Sequence, residues 1–217
     1  MTTLSEENYL KAIYHLGKQG EKAVSTNAIA EKIETKASSV TDMIKKLAEK
    51  NLVNYVKYQG VSLTNEGRLT AALVVRKHRL WEVFLVKKLN FSWDEVHDVA
   101  EQLEHIKSLK LVNELDAFLG FPTHDPHGDP IPDKDGNYTQ TKSVNILEME
   151  AGHEGVLSLV KDSSEMFLKY LNKNNLALGD VIKVLDFEPF DNSVTIQTKN
   201  KQIIISQQVA KNLCLNL

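Results

Sequence analysis

The strongest constraint in this chain is a change of apolar period at Leu52. Before it, apolar residues recur at helical spacing; after it, they alternate. Leu10, Ile13, Tyr14 and Leu16 mark an amphipathic helix over residues 5–17, with Gly17 as its stop. Ser25 and Thr26 offer an N-cap to a short second helix with Ala28, Ile29 and Ile33 on one face. After the tight connection Thr35-Lys36-Ala37, Ser38 and Ser39 open a third helix that runs to about Lys50 and turns Val40, Met43, Ile44 and Leu47 inward. Val53–Tyr58 and Val61–Leu63 then read as two strands around Gln59-Gly60. Two short helices, a tight turn and a hairpin make a winged helix-turn-helix. A helical pair alone is commonly just packing. The wing and the polar outer face of the third helix favour a DNA-reading domain.

Charge points the same way. The 217-residue chain has a net charge of −3, yet residues 1–72 carry ten Lys and Arg against eight Asp and Glu. A mildly basic first third on an acidic body suits a small DNA-reading domain. The single cysteine, Cys214, excludes a disulfide framework within the chain and a Cys-rich zinc site. No charged head followed by an apolar run opens the sequence, and no apolar stretch reaches the roughly 20 residues that span a bilayer. A cytoplasmic protein with no membrane role is expected.

The middle of the chain carries metal-ligand chemistry. A long helix from about Asn65 to Lys88, opened by Thr64-Asn65-Glu66, places His78 and Glu82 four residues apart on one face. Asn90-Phe91-Ser92 makes a turn, with Ser92 as cap of a helix to about Lys107. On it His97, Glu101, Glu104 and His105 fall within roughly a 100° arc, opposite Val96, Val99, Leu103 and Ile106. An exposed polar face is the ordinary meaning of such glutamates; two histidines in the same arc favour a metal. A further helix spans Leu109 to Leu119. Residues 121–132, rich in Pro, Gly and Asp, form an ordered loop, and Asp133–Ser143 is linker-like. From about residue 144 the texture changes to short strands at 156–160, 181–185, 194–197 and 202–205, with one helix at 163–172, as in a small β-barrel. The expected class is therefore α+β and multi-domain: a winged helix over 1–72, a helical domain over 73–142 and a barrel over 143–217.

With these residues in place, the sequence resembles the diphtheria-toxin-repressor family of metal-dependent bacterial transcription regulators. The likeness rests on Glu6-Glu7-Asn8-Tyr9-Leu10, Ser38-Ser39-Val40, Arg76-Lys77-His78-Arg79-Leu80 with Glu82, Glu101-Gln102-Leu103-Glu104-His105 and Asp125-Pro126-His127-Gly128-Asp129-Pro130-Ile131-Pro132. It implies a winged helix, a helical metal-binding and dimerisation domain and an SH3-like domain. It also implies a primary metal site at Glu101, Glu104 and His105 with Asn8 from the first helix, and an ancillary site at His78, Glu82 and His97. Glu101 is as in the manganese-responsive branch. Asn8 stands where other members have Met or Asp, and Lys11 where manganese-type members have a carboxylate. The two-manganese arrangement of the short members is thus not expected; a ligand from the SH3-like domain, Asp162 or Glu165, is.

The oxygen and imidazole donors suit Mn²⁺ ahead of Fe²⁺, while Zn²⁺ and other divalent ions can substitute in vitro. The expected function is a metal-dependent repressor controlling metal-ion homeostasis, binding a palindromic duplex operator as a homodimer. Ser38, Ser39 and Thr41 would read base edges, Lys36, Lys45 and Lys46 would contact phosphates, and Asp42 would accept from a base amino group. The alternative is a constitutive, metal-independent winged-helix DNA-binding protein. An enzyme is not expected: His-Glu-x-x-His is absent, and the inverted motif would need His at position 101.

Overall fold

The structure is a computed structural model and describes residues 2–56, 59–139, 142–199 and 201–217. Lys57 and Tyr58, expected in the first wing strand, and Asn200, expected in a turn, lie outside the described residues. The chain divides into two compact units: residues 1–81, 100–121 and 131–138, and residues 82–99, 122–130 and 139–217.

In the first unit, α1 (Leu4–Leu16) starts at Thr3. The Thr3 hydroxyl accepts the Glu6 amide and the Glu6 carboxylate accepts the Thr3 amide, so two orphan helix donors are satisfied reciprocally. Glu6 also accepts the Lys50 ammonium at 2.7 and 2.8 Å, fastening α1 to the residue that ends α3 (Ala37–Glu49). α2 (Thr26–Lys32) is capped by Ser25. α3 begins at Ala37 rather than at the serines: Lys36 holds the cap position without a side-chain bond, and Ser38 and Ser39 sit exposed in the first turn.

β1 (Val53–Val56) and β2 (Gly60–Leu63) pair antiparallel, and Val24 bridges Val61. Gly60 stands at φ 99°, where a Cβ would lie 2.7 Å from the Val24 carbonyl oxygen, so the wing requires glycine there. Leu10, Ile13, Ile29, Val40, Ile44, Leu47 and Val61 are fully buried in one cluster. α4 (Asn65–Leu89) is opened by the Thr64 hydroxyl, which accepts the Gly67 amide.

α5 (Val96–Leu103) is shorter than its apolar pattern suggests. The Glu104 amide still bonds the Ala100 carbonyl at 2.9 Å, but Ile106 bonds back to Leu103 and Ser108 caps α6 (Leu109–Phe118). Glu104 and His105 therefore lie in the turn after the helix, and the four-residue metal face is not one helical face.

Arg76 of α4 is buried and donates to Asp116 Oδ2 at 2.6 Å and to the Pro132 carbonyl at 2.7 Å. That pairing holds residues 131–138 in the first unit. The Asp133 carboxylate accepts the amides of Asp135 and Asn137 at 2.9 and 2.8 Å, and the Tyr14 hydroxyl meets that of Tyr138. Within the stretch read as a linker, Asp133–Tyr138 thus closes a turn on its own backbone and Ser143 enters a strand, while Gln140 and Thr141 lie outside the described residues.

The second unit is built on six antiparallel strands. They are β3 (Ser143–Asn145), β4 (Glu154–Val160), β5 (Val181–Phe187), β6 (Val194–Gln197), β7 (Gln202–Ile205) and β8 (Leu213–Asn216), in the order β3-β8-β4-β5-β6-β7. A 3₁₀ turn at Ile146–Glu148, α7 (Glu165–Lys173) and α8 (Gln207–Ala210) accompany them. Leu157, Leu168, Leu171, Ile182, Val184, Ile196, Leu213 and Leu215 fill the core. The loop 122–130 is fastened to β4: the Val160 amide donates to the His127 carbonyl at 3.0 Å. Gly128 (φ 89°) lies so close that a Cβ would meet the Ser158 carbonyl oxygen at 2.0 Å. Gly128→Ala is expected to destabilise the protein by about 2 kcal/mol or more, from the clash and the left-handed backbone together. Urea unfolding followed through Trp93 fluorescence measures it.

Candidate metal centre

The first unit contains a buried polar cluster that joins α1, α4, α5 and the turn after it. Glu7 of α1 is 6% exposed. Its Oε2 lies 2.7 Å from His105 Nδ1 and its Oε1 accepts the Thr2 hydroxyl at 2.9 Å. Glu7 thereby fixes the His105 ring with Nδ1 as donor and leaves Nε2 as a lone-pair donor for a cation, the arrangement in which an outer carboxylate orients a ligating histidine. His105 Nε2 lies 3.6 Å from Glu104 Oε1. Glu104 has no exposure, and its other oxygen, Oε2, meets His78 Nδ1 at 2.7 Å and Lys11 Nζ at 2.6 Å. Lys11 also reaches Glu101 Oε1 at 2.5 Å. Lys77 stands 3.7 Å from Glu7; burial pushes its ammonium below the usual lysine range, against the pull of Glu7 and Glu104.

Two buried oxygens of the first unit lack what their burial demands. Asn8 Oδ1 and Glu104 Oε1 are buried and have no hydrogen-bond partner among the described residues. An unsatisfied buried carboxylate oxygen costs far more than a satisfied one. Asn8 Oδ1, Glu104 Oε1 and His105 Nε2 are oxygen and imidazole donors of the kind that suits a divalent cation such as Mn²⁺ or Fe²⁺. Of the expected primary residues, the structure brings Glu104 and His105 together, joins His105 to α1 through Glu7, and sets Glu101 on Lys11.

Of the expected ancillary residues, Glu82 and His97 fall in the second unit and His78 in the first. Glu82 and His97 lie 3.7 Å apart, Oε1 to Nδ1, and His78 Nδ1 turns to Glu104. In the second unit Glu82 is also grouped with Asp125 and His127, three buried residues whose ligand atoms lie within 4.8 Å of one another. His127 Nε2 donates to the Trp93 carbonyl at 2.8 Å and its ring stacks on Trp93, so Nδ1 is the atom turned to the carboxylates. Asp125 Oδ1 accepts the His127 and Asp129 amides. Two buried carboxylates and one oriented imidazole again fit a divalent ion.

Glu7, Asp125 and His127 were not among the expected ligands or supports. The visible signal for the last two was Asp-Pro-His-Gly in a loop too rich in turn residues to be an element. Asp162 accepts the Ser164 amide at 2.9 Å, and Glu165 pairs with Lys169.

Burial alone would depress His127, but Glu82, Asp125 and the Trp93 carbonyl outweigh it and lift its pKa to about 9 from 6.5. The folded state therefore holds this proton more tightly than the unfolded chain. In the metal-free protein the resulting stability is complete below about pH 6.5 and is lost as pH rises through about 9. Ligation by Nδ1 requires that proton to leave, so Mn²⁺ affinity at this cluster is expected to rise about tenfold per pH unit below that value. Thermal melts and Mn²⁺ titrations across the window check both slopes; in His127→Gln both flatten.

On α3, Ser38, Ser39, Lys45 and Lys46 are exposed, as is Lys36 before it. Thr41 is half-buried and its hydroxyl donates to the Ala37 carbonyl at 3.0 Å; Asp42 lies 3.9 Å from Lys45. No helix among the described residues is long and apolar enough to cross a membrane.

Three family models cover the chain. The iron dependent repressor N-terminal DNA binding domain matches residues 1–61, the iron dependent repressor metal binding and dimerisation domain residues 64–133, and the FeoA domain residues 144–216. The iron-dependent repressor IdeR of Mycobacterium leprae is 32% identical over 67% of this chain and 66% of its own length. The diphtheria toxin repressor of Corynebacterium jeikeium is 31% identical over 59% of this chain and 53% of its own. The chain thus spans between half and two thirds of these curated relatives. Among solved structures, a manganese-dependent transcriptional repressor in complex with manganese is 35% identical, with a TM-score of 0.87, over 97% of this chain and 98% of that one. The manganese regulator SloR is 34% identical, with a TM-score of 0.77, over 97% of each. With all three textures matched in order, the chain belongs to the diphtheria-toxin-repressor family of metal-dependent transcriptional regulators, in the form that carries a C-terminal SH3-like domain.

Proposed function

We propose that the protein is a metal-dependent transcriptional repressor that senses Mn²⁺, with Fe²⁺ as the alternative ion. In this reading residues 1–72 read DNA, 73–142 bind metal and dimerise, and 143–217 form the SH3-like domain of a cytoplasmic regulator of metal-ion supply. The observation that carries the reading is the pair of buried, unpartnered donors, Asn8 Oδ1 on α1 and Glu104 Oε1 after α5. Asn8, Glu104 and His105 hold the ion. When bound, it supplies a cross-link between the helix that packs under the recognition helix and the segment that carries the ligands. Glu7 orients His105, and Glu101 and Lys11 set the position of Glu104. Glu82, Asp125 and His127, with His97 beside them, hold a second ion in their own unit.

Ser38, Ser39 and Thr41 are placed at the start of α3, where base edges are read, and Lys36, Lys45 and Lys46 face phosphate. Leu109, Phe118 and Phe121, exposed at 74%, 62% and 68%, supply an apolar face for a second copy. A two-fold dimer would meet palindromic half-sites about one helical turn, or a multiple of it, apart. Electrophoretic shift of an operator duplex with Mn²⁺ and after chelation tests the reading. Binding that requires the ion supports it. Equal binding after chelation identifies a constitutive winged-helix protein.

A further inference from the structure

Two side chains of the first-unit cluster, Lys11 and Lys77, carry a charge of the wrong sign for a metal ligand, and Lys11 is the one that bonds Glu101 and Glu104. Its ammonium bonds Glu101 Oε1 at 2.5 Å and Glu104 Oε2 at 2.6 Å and lies 3.4 Å from His78 Nδ1. The side chain is 13% exposed. A cation bridging two carboxylates beside an imidazole nitrogen is the environment a divalent ion would seek. The oxygen that Lys11 does not touch, Glu104 Oε1, is the unpartnered one and faces His105 Nε2 at 3.6 Å. Glu104 is therefore divided between two cation positions, one taken by the ammonium and one offered to an ion.

We propose that Lys11 is a built-in second cation, which occupies the Glu101–Glu104–His78 position and restricts this centre to a single divalent ion at Asn8, Glu104 and His105. The inference rests on the metal-sensing reading above. The ammonium sets a positive charge between Glu104, which has no exposure, and the part-exposed Glu101, and holds both carboxylates in place without a metal. Its charge also repels a second divalent ion, and its stem fills the volume such an ion would need. A tethered lysine cannot dissociate, so occupancy at this centre would follow a one-ion response to metal supply rather than a two-ion one.

Mn²⁺ titration of the full-length protein, read by stoichiometry and by electron paramagnetic resonance, tests this. Wild type is expected to show the hyperfine pattern of isolated Mn²⁺. Lys11→Ala is expected to take up one more Mn²⁺ per protomer and to show the broadened signal of an exchange-coupled pair sharing Glu101 and Glu104. Lys11→Arg, which keeps the charge, is expected to match wild type. An unchanged count in Lys11→Ala, or a coupled pair already present in wild type, overturns the proposal. Should Lys11→Ala fail to fold, Lys11→Gln is judged by the same two readouts. Failure of the parent reading has a different mark: Glu104→Gln then binds as much Mn²⁺ as wild type.

Discussion

Glu104→Gln is expected to lower Mn²⁺ affinity at the first-unit centre by about 100-fold or more and to abolish Mn²⁺-stimulated DNA binding. The carboxylate does two jobs at once. Oε2 accepts Lys11 at 2.6 Å and His78 at 2.7 Å, while Oε1 is the buried donor without a partner. An amide can satisfy only one side: with its oxygen on Lys11, its NH₂ group faces the ion position; turned over, NH₂ meets the ammonium. Either way the charge of a residue with no solvent exposure is lost. Sedimentation should show the dimer intact, because Glu104 has no exposure and so presents nothing to a second copy. A milder loss is expected for Glu7→Gln, about 10- to 100-fold, because it acts through the His105 ring.

Asp116→Ala is expected to cost about 3–5 kcal/mol of stability, with no direct effect on the metal donors. Arg76 is 8% exposed, and without Asp116 its guanidinium keeps only the Pro132 carbonyl, at 2.7 Å, of the two acceptors described here. A buried charge left without its counter-ion carries the full desolvation cost. For a chain of this length each kcal/mol lowers Tm by roughly 2–4 °C, so a fall of about 10 °C is expected in a thermal scan. The double variant Arg76→Met with Asp116→Ala should recover part of the loss, since it removes the stranded charge as well. A double variant as unstable as the single one would place the cost in α6 packing instead.

How far the sequence foretold these features follows from what each depends on. Local patterns carried well. Helical spacing located α1 to α4 and α6 to within a residue or two, and alternation located β6 and β7 at their observed bounds. What depended on partners did not carry. β8 reads Leu-Cys-Leu-Asn, whose first three residues are all buried, and is a strand because it is flanked by β3 and β4. α5 stops at Leu103 because the chain must turn into α6, a constraint invisible in its apolar stripe. The candidate site divides in the same way. Glu104 and His105 were legible as ligand types, and Asn8 through the family resemblance. Glu7 looked like an ordinary acidic residue in a first helical turn; only its burial against His105 reveals its role. Likewise Asp125 and His127 were visible in sequence but not as partners of Glu82, because 43 positions separate Glu82 from Asp125 and the loop that carries them is seated by Gly128 on β4.

In the proposed reading Asn8, Glu104 and His105 hold one divalent ion that couples α1 to the ligand segment. Anomalous scattering from crystals of the Mn²⁺-loaded protein, collected at the manganese edge, tests it most directly. The expected result is a peak within bonding distance of Asn8 Oδ1, Glu104 Oε1 and His105 Nε2, with the Lys11 ammonium still on Glu101. A map whose manganese peaks all lie elsewhere, with Glu104 Oε1 unligated, would contradict the account.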